Sequence, residues 1–593
     1  AQPDVAVEGY WAQILLNTTL RALMLILPPT VIMGYLFPMI VSLYASQKAK
    51  LGSQVGRVVA INTLGAIVGS IASGFVLIPL CGIQMSLLLF AILSGLTGIV
   101  AFGFGPLSEG ARKKALAGSL PVLLLAFWSF PFEKQFGFTQ LAGHEKAELL
   151  FYSESADQTV IVTRDLGSEK VQRLLLNQQQ ATSTVLEGQR KNQLLGHLPM
   201  WACPRAKDAL VICFGSGGTF GALGLYDLES VVCVDLCPTV LEAAYLFKEW
   251  NNDVLSQPNV RVVHDDGRSY LLTTSESYDI ITLEPMHPGL KGVSSLYSLE
   301  FYEEARSKLN PGGVLCQWIP LYNMSDEDGR ILIATAVEVF PQSTLWLIGA
   351  EGVLMCTNTE PSIQWDWLKS KFLEERINKA LTRVRIDDPW AILSGYLMGP
   401  DGLKAFLKDV PLMDDDRPFT EYSIPRHQHL SPWHDILLLS EKRESPLPLL
   451  RGIDTEELKS LESGLARRRE GWIERDRGFA AFSQKELGAA RMHLETAIEK
   501  DPSDRYTAFF LQKIYRFFGD NFSRHQRYED ALLAYSRALQ LEPDDADLFF
   551  FRAMVYAHLQ KPQQAREDAN RALKICADHE GARQLLEKLD APR

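Results

Sequence analysis

Along this chain the hydrophobic positions follow three different rhythms, and each predicts a different kind of element. Early on they run together: Ala22 to Ala45, Val58 to Leu80, Met85 to Phe104 and Ala115 to Phe132 are apolar stretches of membrane-spanning length. About four transmembrane α-helices are therefore expected over residues 1–135, the last of them short and broken by proline. Gly65, Gly69, Ser70 and Gly74 on the second stretch, with Gly95 and Gly98 on the third, let such helices approach closely in lipid. From Ala147 to Thr184 hydrophobic and polar positions alternate, as in Thr159-Val160-Ile161-Val162-Thr163, which predicts a small antiparallel sheet. Short apolar runs follow at Ala209 to Phe214, Val231 to Val234, Val260 to Val263 and Tyr278 to Leu283. Runs of this kind suit parallel strands covered on both faces, so a doubly wound α/β domain is expected.

After a proline-rich break at Ser445 to Leu449 the pattern turns helical and charged. Ala531, Tyr535, Ala538, Leu539 and Pro543 recur as Ala565, Ala569, Ala572, Leu573 and Ala577, a shift of 34 residues, the tetratricopeptide period. Ala490, Ala497, Ile498 and Pro502 form an earlier copy offset by 41, as though seven residues were inserted near Phe518 to Gln526. Stacked helical repeats bury one face against their neighbours and offer a concave groove to a protein partner; a plain helical cap is the other reading.

Composition narrows this picture in three ways. A length of 593 residues exceeds one hydrophobic core, so several domains are expected. The 59 basic and 71 acidic residues give a net charge of −12, which argues against a nucleic-acid partner. Cys213, Cys233, Cys316 and Cys356 lie in apolar runs without metal spacing, so no metal is expected. Lys48, Lys50 and Arg57, then Arg112, Lys113 and Lys114, place the loops they occupy on the cytoplasmic side. If Ala115 to Phe132 crosses, everything after Glu133 lies outside the cytoplasm. The face of the soluble part stays open.

The chemistry concentrates at strand ends. The first apolar run stops at Gly215-Ser216-Gly217, where glycines allow a tight turn and a close backbone approach, and Gly221 permits close packing of the next helix. The second ends in Asp235, a carboxylate that can accept both hydroxyls of a ribose. The third ends in His264-Asp265-Asp266-Gly267-Arg268, the fourth in Glu284-Pro285-Met286-His287-Pro288. A glycine turn alone reads equally as a packing turn; three acidic strand ends in register make a nucleoside-binding edge. No lysine follows the glycines, which excludes a P-loop, and the GxGxxxG spacing departs from the dinucleotide fingerprint.

With Ser294-Ser295-Leu296-Tyr297 and Leu309-Asn310-Pro311-Gly312-Gly313 following in order, the chain resembles the spermidine synthases. Within them it is most similar to the membrane-fused, spermidine synthase-like proteins of bacteria, over about residues 20–425. The resemblance implies decarboxylated S-adenosylmethionine or S-adenosylmethionine as donor substrate, held by Gly215, Ser216, Gly217, Asp235, Asp265 and Asp266, and an amine as acceptor. Two family aspartates, one to deprotonate the amine and one to hold the polyamine, correspond here to Glu284 and His287. Ser216 stands where those enzymes place an aspartate, and Lys191-Asn192 where polyamine-contacting side chains would stand; a cation there should repel a diamine. Gln317 and Tyr322 are implied substrate contacts, Gly289 to Tyr297 a gate, and the small β region a means of forming homo-oligomers. The family's usual members carry further helices upstream.

The expected order is thus transmembrane helices over 1–135, a small β region over 145–195, and an S-adenosylmethionine-dependent transferase-like α/β domain over 196–430. A linker over 431–465 and tetratricopeptide-like repeats over 466–593 complete it. The expected function is a multi-pass bacterial inner-membrane transferase with catalytic Glu284 and His287. The alternative is a catalytically inactive scaffold that recruits partners to the membrane through its repeats.

Overall fold

The computed structural model describes residues 3–44, 51–104, 108–110, 113, 117, 147–166, 170–427 and 433–590, in two compact units. One unit comprises residues 1–185 with 237–246, the other 186–236 with 247–593.

In the first unit a helix runs from Pro3 to Tyr44 with Pro28, Pro29 and Pro38 inside it. Helices Leu51–Ala72 and Ile78–Phe104 follow, joined by a π-helical turn over Ser73–Leu77. Two stretches, Trp11–Tyr44 and Leu51–Ala101, have the length and apolar composition to cross a membrane. The second and third expected segments are two helices divided at Gly82, which leaves helical geometry at φ 80°. Apolar side chains such as Met24 and Leu25 are about three-quarters exposed. The fourth expected segment, Ala115 to Phe132, lies almost wholly outside the described residues.

The alternating region forms a four-stranded meander of β1 (Ala147–Glu154), β2 (Thr159–Asp165), β3 (Gln172–Leu176) and β4 (Gln179–Ser183), paired in that order and antiparallel. Ile161 and Leu175 pack with Leu149 and Tyr152 on one face, and Val160, Val162 and Leu174 are wholly buried on the other. Asn177 and Gln178 take positive φ in the two-residue turn between β3 and β4, the geometry that matches strand twist.

The second unit holds an eight-stranded sheet in the order β13-β10-β11-β9-β8-β5-β6-β7. Its parallel half is β5 (Asp208–Ile212), β6 (Ser230–Asp235), β7 (Val260–His264), β8 (Tyr278–Leu283) and β9 (Leu309–Pro320). Its antiparallel half, which the sequence pattern does not predict, adds β10 (Thr344–Ile348), β11 (Glu351–Cys356) and β13 (Tyr396–Met398). Leu210, Ile212, Val232, Val234, Ile281 and Leu283 are buried, as doubly covered strands require. The chain lays down β5, β6 and β7 outward, then returns past β5 to β8 and β9. Winding direction reverses between β5 and β8, and ligands of open α/β sheets bind at the carboxyl ends of such strands.

Residues 431–465, expected as a linker, contain helix Trp433–Glu441, the two-residue strand β14 (Leu450–Arg451) paired with β12 (Ile363–Gln364), and the start of helix Thr455–Ser483. A C-terminal helical region follows. Helices Tyr528–Leu541 and Pro562–Ile575 begin 34 residues apart, Leu487–Lys500 and Tyr528–Leu541 begin 41 apart. The seven extra residues lie in helix Arg505–Arg524, which has 20 residues where its counterpart Ala546–His558 has 13. The recurring alanines Ala531, Ala538, Ala565, Ala569 and Ala572 are all fully buried, consistent with repeats that stack on small residues.

Candidate active site

The turn after β5 takes three residues to positive φ. Cys213 takes φ 73°, a left-handed conformation that costs a non-glycine residue free energy, and Gly215 and Gly217 follow at 55° and 80°. A Cβ on Gly217 would lie 2.7 Å from the Phe214 ring, so the position requires glycine twice over. Asp235, at the end of β6, closes on this turn: its Oδ2 accepts a hydrogen bond from the Phe214 backbone N–H at 2.7 Å. Asp266 caps helix Gly267–Thr273 by accepting from the Ser269 N–H, and Asp265 accepts from the Asp266 N–H. The Cys213 thiol shows how these ends converge. Burial raises its pKa first, and the carboxylates of Asp235, Glu284 and Asp266 add to it. Ile212 pairs with Val234 on one side and Leu283 on the other, and the Asp265 N–H donates to the Asp235 carbonyl at 3.3 Å, so the three acidic strand ends lie side by side on one rim.

Ser216 lies in the same turn, 1% exposed, and its hydroxyl has no hydrogen-bond partner among the described residues. A buried hydroxyl left unmatched costs free energy unless something else satisfies it. A ligand with polar groups at this turn would do so, which is what the glycine geometry also allows.

On the other side of the rim, helix Leu186–Ala202 carries Gln189, Arg190, Lys191, Asn192 and Gln193, all buried. The Lys191 ammonium lies 2.6 Å from Glu284 Oε1, 3.2 Å from Glu351 Oε2 and 4.7 Å from the centre of the Trp318 ring. Burial works against its charge, but Glu284 and then Glu351 override it and raise its pKa. Burial also pushes the Glu284 carboxyl up, against the pull of Lys191. The indole N–H of Trp318 donates to Glu351 Oε2 at 3.0 Å, and Tyr322 lies against Trp318 with ring centres 6.3 Å apart.

His287 is held by its loop. Its Nε2 donates to the Tyr322 carbonyl at 3.1 Å while Nδ1 accepts from the Gly289 N–H at 3.4 Å, which assigns the neutral ring, and burial lowers its pKa. Gln317 is fully buried and donates from Nε2 to the Leu296 carbonyl at 3.0 Å, so its amide supports the 289–297 segment from beneath. That segment carries Gly292 at φ 81° and a short 3₁₀ turn over Val293–Tyr297.

Residues 189–344 match the family model of the spermine/spermidine synthase domain, within the longer stretch over which the resemblance is read. They are a spermidine synthase-like domain. Curated relatives include polyamine aminopropyltransferases from Oceanobacillus iheyensis, 27% identical over 271 residues, covering 45% of this chain and 52% of the relative. The enzyme of that name from Thermococcus kodakarensis is 32% identical over 130 residues, 21% of this chain and 45% of the relative. Polyamine aminopropyltransferase 1 of Streptomyces coelicolor is 25% identical over 306 residues, 50% and 54%. The chain spans about half the length of these relatives. Among solved structures, a probable spermidine synthase from Corynebacterium glutamicum aligns at 16% identity and a TM-score of 0.34, covering 45% of this chain and 96% of that one.

In the spermidine synthase-like domain the strand-end residues Asp235, Asp265, Asp266 and Glu284 sit where their apolar runs stop. Glu351 was not foreseen. It follows the β10–β11 turn and reaches Lys191 only because β11 pairs antiparallel with β9, Glu351 opposite Pro320, a pairing without a local sequence signal.

Proposed function

We propose that the spermidine synthase-like domain binds an adenosyl donor, decarboxylated S-adenosylmethionine or S-adenosylmethionine, and transfers a group from it to an amine. The glycine turn, bonded to Asp235 through the Phe214 N–H and flanked by the strand ends that carry Asp266 and Glu284, carries this reading. Gly215 and Gly217 shape the nucleoside's seat and Ser216 offers its unmatched hydroxyl. Asp235, with Asp265 and Asp266 beside it, faces the ribose. Glu284 takes the proton of the attacking amine, since a protonated amine has no lone pair. Tyr322 and Gln317 border the acceptor's side, and His287 braces the loop. Such a donor supplies an alkyl group already activated as a sulfonium.

The apolar helices of the first unit serve as a multi-pass anchor in a bacterial inner membrane, a reading their length and exposed apolar side chains support. The C-terminal helices are tetratricopeptide repeats, supported by the 34-residue spacing. Their groove of about 800 Å³, bordered by Leu511, Tyr515, Phe518, Phe522, Leu533 and Arg537, receives a protein partner. The small β meander mediates homo-oligomer formation.

One observation favours the second reading, a catalytically silent scaffold: Lys191 already neutralises Glu284 at 2.6 Å. Calorimetry with both donors on the detergent-solubilised protein separates the two. Binding of either donor supports the transferase, and binding of neither leaves the scaffold. With a donor bound, Glu284→Gln is expected to lower turnover about 100-fold or more at unchanged donor affinity; undiminished turnover would remove Glu284 as the base.

A further inference from the structure

A lysine seldom sits 6% exposed between two carboxylates, and Lys191 does so with walls drawn from three distant parts of the chain. Glu284 comes from the end of β8, Glu351 from the start of β11 and Trp318 from β9. Two carboxylates and an aromatic face are the groups that hold a primary ammonium. The wall is fixed independently of the lysine, because the Trp318 N–H ties itself to Glu351. Stability does not account for the arrangement. A buried ion pair gives little that well-packed apolar residues would not, since desolvation offsets most of the attraction.

This inference rests on the transferase reading of the same site. We propose that Lys191 is a tethered occupant of an ammonium cage built by Glu284, Glu351 and Trp318, and that it restricts the acceptor to a single amine. Charge balance sets the restriction. Two carboxylates and one ammonium leave a single net negative charge, enough to draw one amine and take up its proton. A diamine brings a second ammonium, and the seat that would neutralise it is filled by Lys191. His287, neutral and bonded at both nitrogens, adds no anion.

The test compares the full detergent-solubilised chain with its Lys191→Ala variant, using 1,4-diaminobutane and n-butylamine as probes without donor, by calorimetry and thermal unfolding. The wild type is expected to bind the diamine no more tightly than the monoamine. Lys191→Ala is expected to gain about tenfold or more in diamine affinity. Adding Glu351→Gln should remove that gain, and Lys191→Met, which fills the space without charge, should not show it. Wild-type protein that binds the diamine as tightly as Lys191→Ala would overturn the proposal. So would a folded Lys191→Ala that gains nothing. Should Lys191→Ala fold only poorly, 1,4-diaminobutane is expected to raise its unfolding midpoint more than it raises that of the wild type; no greater rise would equally overturn it. Donor titration of the wild type is read separately. Failed donor binding with a gained amine site removes the transferase and leaves the cage standing.

Discussion

His197 is fully buried on the polar helix, stacked on Trp201 with ring centres 5.5 Å apart, its Nδ1 2.7 Å from the Tyr226 hydroxyl. Burial lowers its pKa from 6.5 to about 3. The unfolded chain binds the proton near 6.5 and the folded chain does not until about 3, so the neutral ring's contribution is complete above pH 6.5. It is lost as pH falls toward 3, an effect on the order of 5 kcal/mol. Thermal midpoints measured from pH 7 to 4 should therefore fall, and His197→Asn should fall less steeply; equal slopes would place the proton uptake elsewhere. Gly221 has a different constraint: a Cβ there would lie 2.2 Å from the Asn251 carbonyl oxygen, and a backbone atom cannot step aside as a side chain does. Gly221→Ala is expected to cost about 3 kcal/mol, read as a lower unfolding midpoint. The sequence announces Gly221, Asp235 and Glu284 because each sits at a fixed offset from an apolar run. Lys191 and Glu351 are announced only in part: a cation at 191 is visible, but its seat is made by strand pairing far along the chain.

The polar helix Leu186–Ala202 is the element whose environment is least visible in its residues. Burial on every side removes the two-faced pattern by which helices are read. It is tied down instead by polar contacts, such as Thr219 Oγ1 donating to the Asn192 carbonyl at 3.2 Å and Thr282 Oγ1 to that of Leu195 at 3.0 Å. The 289–297 segment, by contrast, announces itself through Gly289 and Gly292, and the structure adds what holds it. Glu421 Oε2 accepts from the Gly292 N–H at 3.1 Å and from the Ser294 hydroxyl at 2.9 Å. Losing both bonds at a partly exposed edge should cost about 1–3 kcal/mol locally. Glu421→Ala is thus expected to speed protease cleavage between Gly289 and Ser295 while the global midpoint moves little. Unchanged cleavage would mean that Gln317 and the Tyr297 hydroxyl, which donates to the Trp318 carbonyl at 3.2 Å, hold the segment unaided.

On the scale of the molecule, the 34-residue period makes the C-terminal helices readable, whereas their union with the α/β sheet is not. Arg190, the residue beside Lys191, donates to the carbonyls of Val384, Arg385 and Ala391 and lies 4.5 Å over the ring of Tyr506, in the helical region. Arg443 is wholly buried and donates to the Ser394 and Tyr396 carbonyls, each at 2.7 Å, and to Asp476 Oδ2 at 2.9 Å. Arg475 reaches both Asp476 and Asp504 at 3.2 Å. Charges drawn from around residues 190, 443, 475 and 504 meet only in three dimensions, so no window of sequence could announce the junction. Asp476 stands between two guanidiniums, and removing it leaves Arg443 buried without a carboxylate. Because an uncompensated buried charge costs far more than a paired one gains, Asp476→Ala is expected to destabilise by about 3–5 kcal/mol. The loss should reach both parts at once: fluorescence from the sheet side and circular dichroism of the helices should report one shared, lowered midpoint. Two separated transitions, with only the helical one shifted, would mean that the repeats fold independently and that the Arg190 contact does not couple them to the site.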